Sequence, residues 1–115
     1  MVEYKRLNET YGALADPSRR TMLKQLMKND VRVTDLAKSF DMSLNAVSKH
    51  VHVLERAQLV QREIKGREHW LSFNVEPLLE ATQWMEESYK FWTRSLARLE
   101  SHLLKKKGQK KKKAA

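Results

Sequence analysis

The sequence predicts a mainly α-helical fold with one small β-hairpin, in the order helix, helix, helix, helix, strand, strand, helix. Apolar residues recur at helical spacing in the first half of the chain and again in one long segment near its end. Between them, two β-like runs at 59–64 and 68–74 flank Gly66, which is a hairpin signal. The 115 residues suffice for one domain with a modest core.

Breaks in the apolar pattern separate the first three helices. Residues 4–14 carry apolar groups on one helix face, and Asp16 followed by Pro17 suits the N-cap and first residue of a second helix. The second helix is expected to bury Met22, Leu23, Leu26 and Met27. A short third helix is expected to begin at residue 33 or 34 and to turn inward Leu36, Ala37 and Phe40.

The fourth helix, over about 43–57, has the clearest separation of polar and apolar faces. Ser43 can cap its first turn by accepting from free backbone N–H groups. At 100° per residue, the inner face is expected to hold Leu44, Val47, Val51 and Leu54. The opposite face shows Asn45, Lys49, His52 and Arg56, with Ser48 at its edge. With the tight turn before it and a basic-tipped hairpin after it, this helix makes a winged helix-turn-helix arrangement.

This arrangement predicts sequence-specific binding to double-stranded DNA, because an α-helix fits the major groove. Amide side chains can pair with adenine and lysine with guanine or phosphate, while hydroxyl and imidazole groups can donate to either. The predicted contacts of the fourth helix are Ser43, Asn45, Ser48, Lys49, His52 and Arg56. Lys65 and Arg67 at the hairpin tip are expected to contact the backbone or the adjacent minor groove.

The last helix, from about residue 76 to 104, carries a sustained heptad seam. Its apolar residues are spaced 4, 3, 4, 3 and 4 apart, at Met85, Tyr89, Trp92, Leu96, Leu99 and Leu103. A second, shorter apolar stripe holds Trp84 and Phe91. Because two apolar faces exceed what one small domain can cover, the seam predicts a homodimer. The aromatic residues are typical of packed core, although with Trp92 they could also line a ligand pocket.

The net charge of +9 belongs mostly to the end of the chain. Seven lysines lie in the last eleven residues, which leaves 16 basic and 14 acidic residues in 1–104. We therefore expect a DNA-binding and dimerisation domain over 1–104 and a disordered lysine-rich tail over 105–115. Such a tail either improves solubility or attracts nucleic-acid phosphates without sequence preference, and the sequence leaves both interpretations open.

Composition excludes several classes of protein. The absence of cysteine excludes disulfides and thiolate metal sites, and no apolar run predicts a membrane span or a secretion signal, so a cytoplasmic protein is expected. The sequence shows no nucleophile with a matched base and no glycine-rich phosphate loop, so an enzyme is not expected. The histidines lack the spacing of metal ligands, and no cofactor is expected. His50, beside the core face, is predicted to be a hydrogen-bonded structural imidazole.

Three segments together resemble the arsenic-repressor (ArsR/SmtB) family of winged-helix regulators. They are LADPSRRTMLKQL at 14–26, DLAKSFDMSLNAVSKHVHVLERAQLV at 35–60 and GREHWLSF at 66–73. The resemblance extends over residues 4–104 and implies repression at an inverted-repeat operator, often that of the regulator's own gene. It also implies a dimer interface built from the first and last helices. The residues of the first helix expected in this interface, in addition to the seam, are Tyr4, Leu7 and Tyr11.

The sequence departs from the family pattern at two places. Metal-sensing relatives carry a Cys-x-Cys pair near the third helix, where this chain has VTDLAKSF, and the long aromatic last helix resembles a branch without metal sensing. The family usually has glycine after the fourth helix, where this chain has Gln58. If Gln58 adopts the left-handed conformation there, about 1 kcal/mol of strain is expected.

Three alternative functions stay open from the sequence alone. One is a winged-helix protein that binds nucleic acid non-specifically through its basic tail, and another is a related winged-helix protein that acts through protein partners. The third is a dimeric repressor of a different winged-helix family, such as the MarR type. The signal that releases the DNA is also open: a small apolar ligand, a protein partner, or autoregulation without a ligand.

Overall fold

The computed structural model describes residues 2–114 and the side chains of residues 4–108. Its helices are α1 (Val2–Leu14), α2 (Pro17–Lys28), α3 (Val33–Lys38), α4 (Leu44–Arg56) and α5 (Glu76–Ala114). Its strands are β1 (Val31–Arg32), β2 (Val60–Lys65) and β3 (Glu68–Phe73). The predicted mainly helical class and helix order are confirmed, and the chain divides into two compact units after Ala81. Over residues 2–114, no helix has the length and apolar character needed to cross a membrane.

The sheet has three strands in the order β1-β3-β2, one strand more than the sequence predicts. β2 and β3 pair antiparallel along their full length, which confirms the hairpin, and Gly66 has the positive φ of 63° that the turn favours. β1 adds two residues to the other edge of β3, with Val31 opposite Leu71. A strand of two residues is too short to show an alternating pattern, so β1 has no signal in the sequence.

Side-chain hydrogen bonds cap α2 and α4 as predicted. Asp16 Oδ2 accepts from the backbone N–H of Arg19 at 3.1 Å, and Ser43 Oγ accepts from that of Ala46 at 3.1 Å. The first of these bonds lowers the pKa of the Asp16 carboxyl. The Arg19 side chain also closes the end of α1, because its Nε donates to the Ala13 carbonyl at 2.8 Å. The corner between α1 and α2 is therefore fixed by hydrogen bonds on both sides.

One apolar core joins α2, α3, α4 and the sheet. Its most deeply buried residues are Met22, Leu23, Leu36, Val47, Val51, Leu54, Leu59 and Leu71. Two residues predicted to be buried are not, since Met27 is 48% exposed and Leu44 is 54% exposed. Met27 lies 100° around the helix from Leu26, beyond the edge of the packed face. Leu44 is the first residue of α4, and its side chain borders a surface cleft instead of the core.

α4 ends in a left-handed turn at Gln58, whose φ is 61°. The N–H of Gln58 donates to the Glu55 carbonyl at 2.9 Å, and the N–H of Leu59 donates to the Leu54 carbonyl at 3.0 Å. This pair of bonds is the Schellman motif, and its usual apolar partners, Leu54 and Leu59, both lie in the core. The left-handed conformation expected at Gln58 is thus confirmed, at a position where a Cβ is unfavourable.

Replacing Gln58 by glycine is expected to stabilise the protein by about 1 kcal/mol, because glycine adopts this φ without strain. The backbone carbonyl of residue 58, which accepts from Asn74 Nδ2 at 2.9 Å, is retained in the variant. Chemical denaturation measures the change, with Gln58→Ala as the control that shortens the side chain and keeps the Cβ. A Gln58→Gly protein that unfolds more easily than the parent contradicts the strained turn.

α5 continues through Ala114 and does not end near residue 104 as predicted. Lysine is a good helix former, and Gly108 lies inside the helix without the positive φ that would end it. Repulsion between the lysines disfavours a helix in this segment, whereas the helix propensity of lysine favours one. Composition alone therefore does not predict the residue at which α5 ends. The separate lysine-rich tail over 105–115 and its disorder stay predictions.

Candidate nucleic-acid interface

The outer face of α4 brings together the side chains predicted to read DNA. Asn45, Lys49, His52 and Arg56 are exposed, and Ser48 is half-buried at the edge of this face. The opposite face is held against the core by Val47, Val51 and Leu54. The result is one solvent-facing surface with amide, ammonium, imidazole and hydroxyl groups, which are the groups that match base edges and phosphates.

Ser43, the remaining predicted contact on α4, has a structural role in the free protein. Its Oγ is the acceptor that caps α4, so this oxygen is engaged with the helix backbone. The hydroxyl proton is not used by that bond and can still be donated to a phosphate oxygen. Capping and a DNA contact are therefore compatible at this residue.

A half-buried ion pair joins α4 to the hairpin. The guanidinium of Arg62 donates to both carboxylate oxygens of Glu55, from Nη2 at 2.7 Å and from Nε at 3.3 Å. Nη1 of Arg62 lies 3.0 Å from Nδ1 of His69, which must accept because a guanidinium has no acceptor. The side chains of Arg62 and Glu55 are 22% and 26% exposed, so solvent screens the pair less than a surface ion pair. We call this group the Glu55–Arg62–His69 clamp.

The clamp is not predicted from the sequence, although one signal for it is visible there. Arg62 shares the inward face of β2 with Val60, which is buried, and stands opposite the buried Leu71 of β3. A guanidinium at an inward position requires a partner. The alternating pattern of a strand does not say which other element supplies that partner, so only the structure identifies Glu55.

The hairpin tip is basic, and its two cations differ in their surroundings. Lys65 and Arg67 are both exposed, as predicted. Nζ of Lys65 lies 5.7 Å from the ring centroid of Trp70, and the guanidinium carbon of Arg32 lies 5.8 Å from the same ring. Arg32 is also bound by Glu68 at 2.9 Å. Within residues 4–108, Arg67 makes no ion pair, so it is the more available of the two tip cations.

His50 is hydrogen-bonded within the protein, as predicted. Its Nδ1 lies 3.2 Å from Nη1 of Arg19 and 4.0 Å from Oδ2 of Asp16. Because Arg19 only donates, Nδ1 accepts and the imidazole proton is on Nε2 when His50 is neutral. These contacts tie the middle of α4 to the corner between α1 and α2. In the described part of the chain, no three His, Asp or Glu side chains are grouped closely enough to hold a metal ion.

The heptad seam of α5 is exposed along its length. Exposed fractions run from 54% to 73% over Met85, Tyr89, Trp92, Leu96, Leu99 and Leu103. Trp84 and Phe91 of the second stripe are 49% and 60% exposed, so the packed-core interpretation of these aromatics is wrong for the single chain. Large apolar side chains gathered on one helix face are typical of an interface with another molecule.

The α1 residues predicted for the dimer interface differ in their exposure. Tyr4 is 69% exposed, whereas Leu7 is only 8% exposed within the single chain, and the contact of both with a partner stays a prediction. The hydroxyl of Tyr11 donates to the Ala81 carbonyl at 2.8 Å. An apolar helix face looks the same in sequence whether it packs inside a protomer or between two, so periodicity alone does not distinguish these residues.

Comparisons with known proteins agree with one another. The model of the family described as "Bacterial regulatory protein, arsR family" matches residues 16–62, which run from the cap of α2 into the hairpin. The transcriptional repressor SdpR of Bacillus subtilis is 30% identical over 79 residues, which make up 69% of this chain and 88% of SdpR.

Solved structures share the fold. The crystal structure of an ArsR family transcriptional regulator, RHA00566, gives a TM-score of 0.74 at 35% identity and covers 77% of this chain and 92% of its own. The homodimeric winged helix-turn-helix DNA-binding domain of Mb0332 from Mycobacterium bovis gives a TM-score of 0.61 at 20% identity, covering 76% and 83% of the two chains. The predicted winged helix-turn-helix fold is therefore confirmed.

Proposed function

Since this chain belongs to the arsR family of bacterial regulatory proteins, we propose that it represses transcription as a homodimer bound to an inverted-repeat operator. The chain is a transcriptional regulator with a DNA-binding winged helix. The observation that supports operator binding is the solvent-facing polar surface of α4 next to a basic hairpin tip within one compact unit. The naming of the relative SdpR as a repressor supports the direction of regulation.

In the proposed complex, α4 lies in the major groove and the hairpin reaches the adjacent minor groove or its backbone. Asn45 is proposed to pair with adenine, and Ser48, Lys49 and His52 to discriminate neighbouring bases. Ser43 and Arg56, at the two ends of the helix, are proposed to contact phosphates and so to set its register. Phosphate contacts at the hairpin tip are proposed for Lys65 and Arg67.

Dimerisation is proposed to occur through the exposed seam of α5, and the exposed Tyr4 of α1 is proposed as a further contact with the partner. A two-fold dimer presents two copies of α4, which reach successive major grooves on one side of the duplex about 34 Å apart. The operator is therefore expected to be an inverted repeat. Bound across a promoter, the dimer blocks transcription by occupying the DNA, without a chemical reaction.

Metal sensing is not part of the proposed mechanism. The chain has no cysteine, and only one histidine, His102, lies in the sequence of α5. Thiolate and imidazole groups are the usual protein ligands of the softer transition metals, so the chain lacks the ligand sets that metal-sensing relatives use.

Selection of duplexes from a random-sequence pool tests the proposed function. We expect the full chain to enrich an inverted repeat whose half-sites are centred about 10 base pairs apart. A chain that lacks residues 105–115 is the matched control, and it is expected to enrich the same repeat with a shallower salt dependence. Binding that disappears with this segment, or a pool that yields no shared motif, contradicts the proposal and favours non-specific attraction by the lysines.

Replacing Asn45 by alanine is expected to weaken binding to the enriched operator by about 1–3 kcal/mol and to relax the preference at one base pair of each half-site. The reason is that the amide is the group on α4 suited to two simultaneous hydrogen bonds with adenine. Titration of the selected operator and of single-base variants measures both effects. An equal loss on random DNA identifies Asn45 as a backbone contact instead.

A further inference from the structure

A cleft of about 270 Å³ lies between α3, α4 and the hairpin. Val33 and Leu44 form its apolar wall, and Ser48, Arg62 and Arg67 line its polar side. The exposure of Leu44 has its explanation here, because this apolar side chain borders the cleft. An apolar surface beside a few hydroxyl and guanidinium donors is the usual composition of a small-molecule site.

The charged residues that line the cleft are three arginines and the carboxylate of Glu68, and one of the arginines is unpaired within the described part of the chain. Two of its lining arginines are paired, Arg62 with Glu55 at 2.7 Å and Arg32 with Glu68 at 2.9 Å. The third, Arg67, has no ion-pair partner within residues 4–108. A free guanidinium presents parallel N–H donors that match the two oxygens of a carboxylate. The cleft therefore favours a ligand with one negative charge.

We infer that the cleft binds a small organic acid, whose carboxylate pairs with Arg67 and whose apolar body packs on Val33 and Leu44. Pockets for drug-sized ligands measure roughly 300–1,000 Å³, so a cleft of about 270 Å³ suits an acid with a single ring or a short chain. Binding of the acid to the free protein does not depend on the function proposed above.

The same acid acts as an inducer, and this second step rests on the proposed function. Ser48 and Arg67 line the cleft and are also proposed DNA contacts. An acid held between α4 and the hairpin occupies Arg67 and covers Ser48, so the acid and the operator exclude each other. This mechanism supplies a releasing signal for a regulator that does not sense metal.

Benzoate is the probe for the binding step, and benzamide is its uncharged counterpart. In a titration of the full chain followed by backbone amide NMR, we expect saturable shifts at Val33, Ser48 and Arg67 with benzoate and none with benzamide. Arg67→Gln is expected to weaken benzoate binding about tenfold or more. Lys24→Gln, which removes an exposed cation of α2, is expected to leave it unchanged. Shifts that do not saturate, or equal binding by benzamide or by Arg67→Gln, overturn the site.

A second comparison tests the apolar wall. Leu44→Ser is expected to weaken benzoate binding, because it removes the side chain on which the ring packs. Inorganic phosphate, which has the charge but no apolar body, is expected to displace benzoate only at much higher concentration. If phosphate displaces benzoate at a concentration equal to that of benzoate, the cleft binds anions in general, and its assignment to an organic acid is overturned.

Operator binding in the presence of benzoate separates this inference from the proposed function. We expect benzoate to release the selected operator from the parent chain and to act more weakly on Leu44→Ser. Saturable benzoate binding by a chain that selects no DNA motif upholds the site and refutes the proposed function. If the chain selects an operator but shows no saturable benzoate shift, the proposed function is upheld and the benzoate site is refuted. Benzoate that binds the free chain and leaves operator affinity unchanged overturns the inducer role.

Discussion

Replacing Leu96 by aspartate is expected to dissociate the dimer, with an increase in its dissociation constant of about a thousandfold, or roughly 4 kcal/mol. Leu96 is 61% exposed in the single chain and lies in the middle of the α5 seam. In a two-fold dimer the substitution enters the interface twice, and each copy must desolvate a carboxylate or leave the interface open. Sedimentation equilibrium measures the constant directly.

The control for this substitution places the same charge elsewhere on α5. Ser101 is exposed and lies about 140° around the helix from Leu96, so Ser101→Asp is expected to leave the dimer intact. Operator affinity should fall with Leu96→Asp and not with Ser101→Asp, because a monomer reaches only one half-site. A Leu96→Asp protein that stays dimeric contradicts the seam as the interface, and a monomer with full operator affinity contradicts the two-fold mode of binding.

The fold was largely predictable because most of its helices and strands are long enough to show the repeat of apolar residues that is typical of each. Caps at Asp16 and Ser43 and the turn at Gly66 have local signatures, and all three are present in the structure. β1 is too short to show alternation, and the end of α5 has no proline or left-handed glycine to mark it. Whether a residue at the end of an apolar stripe is exposed, as Leu44 is, depends on how far the neighbouring helices and strands extend. The apolar pattern of one helix does not contain that information.

The candidate site was predictable in its exposed parts and not in its supporting contacts. The outer face of α4 follows from helical geometry alone, so its polar residues could be named from spacing. The clamp depends on Glu55 and Arg62, seven residues apart in sequence but on different elements. A contact between a helix and a strand depends on how the two pack. The spacing of apolar residues along either element does not describe that packing. The same holds for the distinction between Leu7 inside the protomer and Tyr4 outside it.

Replacing Arg62 by methionine is expected to lower the free energy of unfolding by about 1–3 kcal/mol, because half-buried Glu55 loses both hydrogen bonds from the guanidinium and keeps, within residues 4–108, only the 3.6 Å contact with His52. Methionine retains most of the apolar stem, so the loss reports mainly on the polar contacts. Arg32→Met is the matched control: Arg32 also binds two carboxylates, but its side chain is 38% exposed. Chemical denaturation is expected to show a smaller loss for Arg32→Met, about 0–1 kcal/mol.

A double-mutant cycle with Glu55→Gln separates the clamp from general damage to the hairpin. Coupling between Glu55 and Arg62 of about 1–2 kcal/mol is expected, whereas Glu55→Gln and Arg32→Met should be nearly additive because the two sites share no partner. Since the clamp fixes the hairpin to α4, Arg62→Met should also reduce operator affinity at base pairs flanking the half-sites more than at those read by Asn45. Zero coupling, or a uniform loss over the whole operator, means that Arg62 stabilises the fold without setting the angle between the two DNA-reading elements.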